Sequence, residues 1–167
     1  MKRMGVFAGL TRVNPVYYEG WNGECPGCDI DLAFFTKSAK SAGVDVKRLF
    51  NRQATKEAFG GMSERQILSM ERDDLFAWAL SCHGTQVPDR NGDEADGLDE
   101  AVCLWNGLFI DDWFGAMIER APAGGRILLI TDSCTSGTVA RSMPIRIAKA
   151  IPPKIKCGVI HMAGCAN

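Results

Sequence analysis

Residues 74–84, DLFAWALSCHG, decide the fold. Residues 74–81 are almost entirely apolar, and Gly84 is a breaker just beyond them, which is the pattern of a buried β-strand. His83, one of only two histidines in the chain, follows directly after this apolar run. A reactive side chain placed at the end of a buried strand indicates a functional edge of a sheet.

Four further segments have the same apolar character and predict strands. They are residues 4–10 (MGVFAGL), 44–50 (VDVKRLF), 126–132 (RILLITD) and 157–164 (CGVIHMAG). Helix-like stretches alternate with the strands at residues 29–42, 54–70, 110–120 and 137–150. This alternation predicts an α/β fold, and near-continuous apolar strands predict a mostly parallel sheet of about five strands flanked by helices. The acidic, glycine-rich segment 84–109 is predicted to be a long surface loop of the kind that is often functional.

The composition limits the classes of protein that fit the sequence. The 167 residues are predicted to form one domain, 1–167, with a core that needs no metal or disulfide. A formal net charge of −1 gives no support to a nucleic-acid partner. No apolar run reaches the roughly 18 residues that a membrane span needs, and the first apolar stretch is too short for a signal peptide. Seven cysteines without disulfide-framework spacing predict reduced thiols and a cytoplasmic protein.

His83 and Cys134 both lie just past the carboxyl ends of predicted strands, which is where ligands bind in parallel sheets. If the two strands are neighbours, the imidazole and the thiol face one crevice and form a nucleophile with its base. The alternative is that Cys134 is a small buried residue and His83 a hydrogen-bonded polar one. Their shared position at strand ends, with Gly84 after the histidine, favours catalysis. His161 falls inside a predicted strand, which favours a structural role.

The motifs around these two residues resemble a known family. SCHGTQVPDRNGDEADGLDE (81–100), FIDDW (109–113) and RILLITDSCTSGTVAR (126–141) are similar, in this order, to the bacterial metacaspases, or orthocaspases, of the caspase-like cysteine peptidase clan. GLTRVNPVYYEGWNGECPGCDID (9–31) also resembles the opening of their catalytic domain. His83 precedes Cys134 by about 50 residues, the separation noted for caspases. The resemblance implies the caspase-hemoglobinase fold.

The resemblance implies a cysteine endopeptidase in which Cys134 is the nucleophile, His83 is its base, and the N–H groups of Gly84 and Cys134 form the oxyanion hole. The family generally works with this dyad alone. Cys82 and Thr135 stand where the family has a glycine and a second histidine, and neither change removes the dyad. The family continues into a small-subunit-like part, so this chain is expected to be large-subunit-like, either a minimal enzyme or a processed fragment.

A pocket for the side chain before the scissile bond is also implied by the resemblance. Its residues here are Cys28, Asp31, Ser81 and Asp132. Asp132 stands two residues before the nucleophile and therefore on the same strand face. Carboxylates bind a guanidinium or an ammonium group, so we expect cleavage after Arg or Lys. The alternative for Asp31 is a carboxylate that stabilises a helix N-terminus.

Three aspartates match calcium ligands of the family by motif. They are Asp99, Asp111 and Asp112. The fourth position is Arg141, a cation that would repel the metal, so the calcium site is predicted to be weak or absent and no cofactor to be required. Cys25 and Cys28 form a C-x-x-C pair without a second pair, so zinc is not expected.

Two other classes of function are alternatives to the enzyme. One is a catalytically silent caspase-like module that binds partners, and the other is a redox or metal-binding protein built on the C-x-x-C pair. Retention of both His83 and Cys134 favours an enzyme whose partners are peptides or proteins with a basic residue at the cleavage site. An open sheet edge allows either a monomer or an edge-paired dimer.

Overall fold

The computed structural model describes residues 1–89, 92, 97–133 and 155–164. Within these ranges the chain forms strands and α-helices that follow the predicted order closely. In chain order they are β1 (Arg3–Gly9), α1 (Cys28–Ser41), β2 (Asp45–Phe50), α2 (Lys56–Leu68), β3 (Leu75–Ser81), β4 (Gly84–Pro88), β5 (Leu98–Leu104), β6 (Gly107–Ile110), α3 (Asp112–Arg120), β7 (Arg126–Asp132) and β8 (Gly158–Gly164).

Five strands form one sheet in the order β2-β1-β3-β7-β8, and every neighbouring pair is parallel. The five predicted strands are all present, each within one residue of its expected ends. This confirms the α/β fold with a mostly parallel sheet flanked by helices. The helix predicted at residues 137–150 lies outside the described residues.

The central strand β3 sends different side chains to the two faces of the sheet, because successive residues of a strand point to opposite sides. Phe76, Trp78 and Leu80 are buried in the larger core cluster, which also contains side chains of α2 and α3. The Trp78 indole Nε1 donates a hydrogen bond to Ser63 Oγ on α2 at 2.9 Å, so its polar atom is satisfied inside this core. Ala77 and Ala79 face the smaller cluster on the side of α1.

Small residues on the α1 side let this helix approach the sheet closely. A methyl group built at Gly9 would lie 2.7 Å from Leu32 Cβ and 2.9 Å from the Cys28 carbonyl oxygen of α1. The helix is preceded by Gly27, whose φ of 104° is a left-handed conformation that glycine adopts without a steric penalty. These two glycines therefore determine where the first turn of α1 stands over the end of β1.

A second, antiparallel sheet of three strands in the order β4-β5-β6 occupies most of the segment expected to be a loop. The prediction of a surface loop at residues 84–109 is wrong for this part of the chain. Residues 99–104 of β5 are buried throughout, including the acidic residues Asp99 and Glu100. Buried carboxylates interrupt the apolar pattern by which strands are recognised, so the pattern did not predict β5.

Among the described residues, every helix is too short or too polar to cross a lipid bilayer.

We expect Gly9→Ala to destabilise the protein by roughly 1–3 kcal/mol, the typical cost of overpacking a tightly packed site. The new methyl group would meet the backbone of α1, which cannot turn aside as a flexible side chain can. The free energy of unfolding from urea denaturation measures the effect.

Gly61→Ala in α2 is the matched control. Its methyl group would meet only the mobile end of Arg65 at 3.4 Å, and alanine in a helix interior is favoured over glycine by about 0.5–1 kcal/mol. Equal effects of the two substitutions would show that α1 does not pack against Gly9 in this way.

Candidate active site

The carboxyl ends of the parallel strands bring several predicted residues into one row. Gly9 of β1 pairs with Ser81 of β3, Ser81 pairs with Asp132 of β7, and Asp132 pairs with Gly164 of β8. The Cys82 N–H donates to the Asp132 carbonyl at 3.2 Å, so the contact between β3 and β7 continues towards His83. The two strands that carry the predicted dyad are therefore neighbours.

His83 is buried, with 4% of its surface exposed, and its ring is held from two sides. The Trp21 ring lies with its centroid 4.9 Å from that of the imidazole, at an interplanar angle of 55°. The Nε2 atom lies 3.1 Å from the backbone oxygen of Glu24. Because a carbonyl oxygen can only accept, Nε2 must carry the hydrogen in this contact, and in the neutral tautomer of this ring the lone pair is then on Nδ1.

The Glu24 carbonyl is a functional group that the sequence did not reveal. Every residue has a backbone oxygen, so no residue type in the segment before α1 signals that one of them faces His83. The same segment is tied down by its neighbours: the Cys25 N–H donates to the Thr11 carbonyl at 2.9 Å, and a disulfide joins Cys25 to Cys28. The expectation of reduced thiols is wrong for this pair, whereas Cys82, Cys103 and Cys157 are free and buried.

Asp31, Ser81 and Asp132 lie together in one polar cluster. The Ser81 hydroxyl donates a 2.8 Å hydrogen bond to Asp31 Oδ2, which fixes the carboxylate in the first turn of α1 over the end of β3. Burial, and secondly the negative charge of Asp31, raise the pKa of Asp132. Cys28 stands one turn before Asp31 in α1, and its sulfur is part of the disulfide.

Of the remaining predicted residues of the dyad and the oxyanion hole, the structure describes Gly84 but not Cys134. Gly84 is the first residue of β4 and follows His83 directly. Cys134 lies outside the described residues, and Ser133 before it is buried. The other histidine, His161, is inside β8, with its Nε2 3.1 Å from Thr131 Oγ1, and burial lowers its pKa.

Asp99, Asp111 and Asp112 come together as the motif predicted, each offering an oxygen within 4.8 Å of the others. They stand on β5, directly after β6 and at the start of α3, and the Asp111 N–H donates to the Glu100 carbonyl at 2.9 Å. Burial raises the pKa of Asp111 to about 7, and the negative charge of Glu100 is the next cause. Glu100 is a buried acid beside this cluster that the sequence prediction left out, although it adjoins Asp99 in the chain.

This aspartate cluster fits a hard cation in its chemistry. Calcium takes about 6–8 oxygen ligands, and carboxylates are its main protein donors. Asp111 Oδ1 is buried and makes no hydrogen bond among the described residues, as expected of an atom kept for another ligand or a proton. Arg141, the residue on which the prediction of a weak site depends, lies outside the described residues.

Comparison with known proteins gives consistent relatives. The family "Metacaspase, peptidase C14 domain" matches residues 34–143, more than half of the chain. Metacaspase-1 of Coccidioides immitis (strain RS) is 30% identical over 152 residues, which cover 82% of this chain and 32% of that protein. Metacaspase-2 of Arabidopsis thaliana is 38% identical over 78 residues, 44% of this chain and 19% of that protein.

A solved structure with a similar fold is protein GSU0716 from Geobacter sulfurreducens. It superposes with a TM-score of 0.75 at 36% sequence identity, covering 83% of this chain and 52% of that chain. The chain therefore spans about half the length of this solved relative and a third or less of the two metacaspases above. The family match includes His83 and Cys134, and it agrees with the parallel sheet and its flanking helices. The chain therefore belongs to the metacaspase family of peptidase C14 domains.

Proposed function

We propose that this chain is a cysteine endopeptidase that cleaves peptides and proteins after Arg or Lys. Cys134 is the nucleophile and His83 its base, with the N–H groups of Gly84 and Cys134 as the oxyanion hole. The observation that carries the proposal is the row at the carboxyl edge, where the oriented His83 adjoins the acidic pair of Asp31 and Asp132.

The held ring of His83 suits the proton transfers of such a reaction. Nε2 donates to the Glu24 carbonyl, so Nδ1 is the nitrogen that can take the proton of the Cys134 thiol. The same carbonyl dipole then stabilises the imidazolium while the thiolate attacks the scissile carbonyl carbon. His83 returns the proton to the leaving amine, and water hydrolyses the thioester. This arrangement supplies with a backbone group what a third side chain supplies in a triad.

The acidic pocket supports the preference for a basic side chain. Two carboxylates that repel each other at close range are stabilised when a guanidinium or ammonium group enters between them. Ser81 holds Asp31 in place, so little orientation is lost on binding. We propose further that the enzyme works in the cytoplasm, as a monomer or an edge-paired dimer, without a nucleic-acid or membrane partner.

Calcium is a metal that three carboxylates among the described residues could hold. Asp99, Asp111 and Asp112 would be its protein ligands, and bound calcium would neutralise their mutual repulsion. A proton on Asp111, whose pKa is raised to about 7, relieves part of the same repulsion without metal. With Arg141 in the fourth position of the motif, we propose that activity does not require calcium.

Cys134→Ala and His83→Ala should each reduce the turnover number by roughly 1,000-fold or more, because the members of a catalytic dyad act as a unit. His161→Ala is the control, since it removes the other histidine of the chain, and it should retain most of the activity. Steady-state hydrolysis of an Arg-containing peptide measures the effect, with circular dichroism to confirm folding. If His161→Ala proved the more damaging change, the assignment of the base would be wrong.

Asp132→Asn should reduce kcat/KM for an Arg peptide by roughly 100-fold, because a desolvated guanidinium loses a charged partner. It should have little effect on a matched peptide with citrulline, the uncharged analogue of arginine. Asp29→Asn is the control, since Asp29 is an exposed acid in the same first turn of α1 as Asp31. A preference of the wild-type protein for Asp before the scissile bond would contradict the pocket.

The pH dependence of the same two peptides provides a further measurement of this pocket. The pKa of Asp132 is raised. As the pH is lowered, its carboxylate is therefore protonated earlier, at a higher pH, than the carboxylate of an ordinary aspartate. Protonation removes the charge that binds arginine, so the ratio of kcat/KM for the arginine peptide over the citrulline peptide should fall on the acid side. In Asp132→Asn this fall should be smaller, and an unchanged ratio profile would show that Asp132 does not contact the substrate.

Addition of EDTA should leave peptide hydrolysis within about twofold of its original rate, because no step of the proposed reaction uses a metal ion. A calcium titration of the activity, together with calorimetry, makes the test. Saturable activation with a matching binding isotherm would show that Arg141 does not prevent metal binding and that the aspartate cluster is a functional calcium site.

A further inference from the structure

A cleft of about 500 Å³ lies beside the active site and is not used by the proposed reaction. It is formed where the segment after β1 meets the turn after β2 and the turn between β5 and β6. Arg12, Asn14, Asn22, Arg52 and Trp105 line it. A smaller recess of about 330 Å³ shares both arginines and Trp105 and adds Phe50 and Asn51. We name this whole feature the arginine cleft.

The lining of the arginine cleft has the chemistry of an anion site. Among the residues that the structure describes, it contains two guanidinium groups and asparagine side chains but no carboxylate. Neither Arg12 nor Arg52 forms an ion pair with any residue that the structure describes. The Arg52 guanidinium carbon lies 5.8 Å from the centre of the Trp105 ring, and such stacking orients a guanidinium while leaving its N–H edge for a ligand. Carboxylates and phosphates are the groups that such an edge binds with two parallel hydrogen bonds, and in a polypeptide substrate the group available is a carboxylate.

Backbone hydrogen bonds give the cleft a defined shape. The Val13 N–H donates to the Asn22 carbonyl at 2.8 Å, and the Asn14 N–H donates to the Trp105 carbonyl at 3.1 Å. The Trp105 N–H in turn donates to the Ala54 carbonyl at 2.9 Å, directly before α2. The walls of the cleft are therefore tied to one another, so less ordering is required when a ligand enters.

The arginine cleft shares a wall with the active site. Asn22, which lines the cleft, lies between Trp21, whose ring contacts His83, and Glu24, whose carbonyl holds it. Trp105 packs against the core on the side of α2 and α3, whereas Phe50 packs against the smaller cluster on the side of α1. The segment that holds the His83 ring therefore forms part of the wall of the arginine cleft.

We propose that the arginine cleft binds the carboxylate of an acidic residue that follows the scissile bond in the substrate. This inference rests on the proposed function, because it uses His83 as the acid that protonates the leaving amine. That role puts His83 on the leaving-group side of the scissile bond, and the segment that holds its ring, residues 21–24, also lines the cleft through Asn22. The substrate class is then a polypeptide with Arg or Lys before the cut and Asp or Glu a few residues after it.

The test compares peptides that differ only in one acidic residue. Each peptide has Arg before the scissile bond, and either Glu or Gln at one of the first few positions after it. At one of these positions we expect Glu to raise kcat/KM by roughly tenfold over Gln, the scale of a charge-assisted contact in a partly solvated site. The gain should shrink as the salt concentration rises, because salt screens charges at a solvent-accessible site. Glu placed before the arginine should bring no such gain.

Variants of the arginines locate the effect. In Arg12→Gln and Arg52→Gln the ratio of Glu over Gln peptides should fall to between one and three. Arg65→Gln is the control, because Arg65 is an exposed arginine of α2 that lines neither the cleft nor its recess. It should keep the wild-type ratio. Equal loss in all three variants would mean that only the general positive charge matters, and it would overturn the proposal.

The outcomes separate this inference from the proposed function. If no peptide with Arg is hydrolysed, the proposed function fails. If Arg peptides are hydrolysed and the Glu and Gln peptides react alike at every position, the proposed function stands and the arginine cleft is not a substrate site. Calorimetry of the uncleaved peptides with the Cys134→Ala protein gives a measurement independent of turnover. Tighter binding of the Glu peptide than of the Gln peptide supports the proposal, and equal affinity rejects it.

Discussion

β3 pairs in register with β1 on one side and with β7 on the other, and the functional groups of the chain depend on this contact. Ser81 stands between Gly9 and Asp132 in one row, so the end of every central strand contributes to the same edge. Gly9 leaves room for α1, and α1 brings Asp31 to the Ser81 hydroxyl. A slip of one residue in either pairing would turn side chains to the opposite face and take these groups apart.

Charge is distributed unevenly over a chain whose net charge is close to zero. Asp31 and Asp132 form one negative cluster, Asp99, Asp111 and Asp112 form another, and the arginine cleft concentrates positive charge beside the segment that holds His83. Burial raises the pKa of Asp111 and of Asp132, because each carboxylate loses more stabilisation from water than it gains from its protein neighbours. Such sites cost folding stability, which is expected where side chains are arranged for ligands rather than for the fold.

The structure corrects the sequence prediction in two places for definite physical reasons. The segment after His83 was expected to be a loop because of its acids and glycines, yet β5 buries Asp99 and Glu100 within an antiparallel sheet. The cysteines were expected to be reduced, yet Cys25 and Cys28 are joined. Composition alone does not distinguish a strand with buried acids from an acidic surface loop. In the same way, spacing alone does not distinguish a disulfide-bonded C-x-x-C pair from two free thiols.

The sequence by itself determined the strands and helices of the main sheet, the family resemblance, and His83, Asp31 and Asp132 as candidate residues, because apolar periodicity and motif identity are properties of the linear chain. Only the tertiary structure decided that the Glu24 carbonyl orients His83 and that Arg12, Arg52 and Trp105 share a cleft. Backbone carbonyls have no residue signature, and Arg12, Arg52 and Trp105 lie on separate segments of the chain. Their proximity comes from packing between elements, which no local pattern in the chain records.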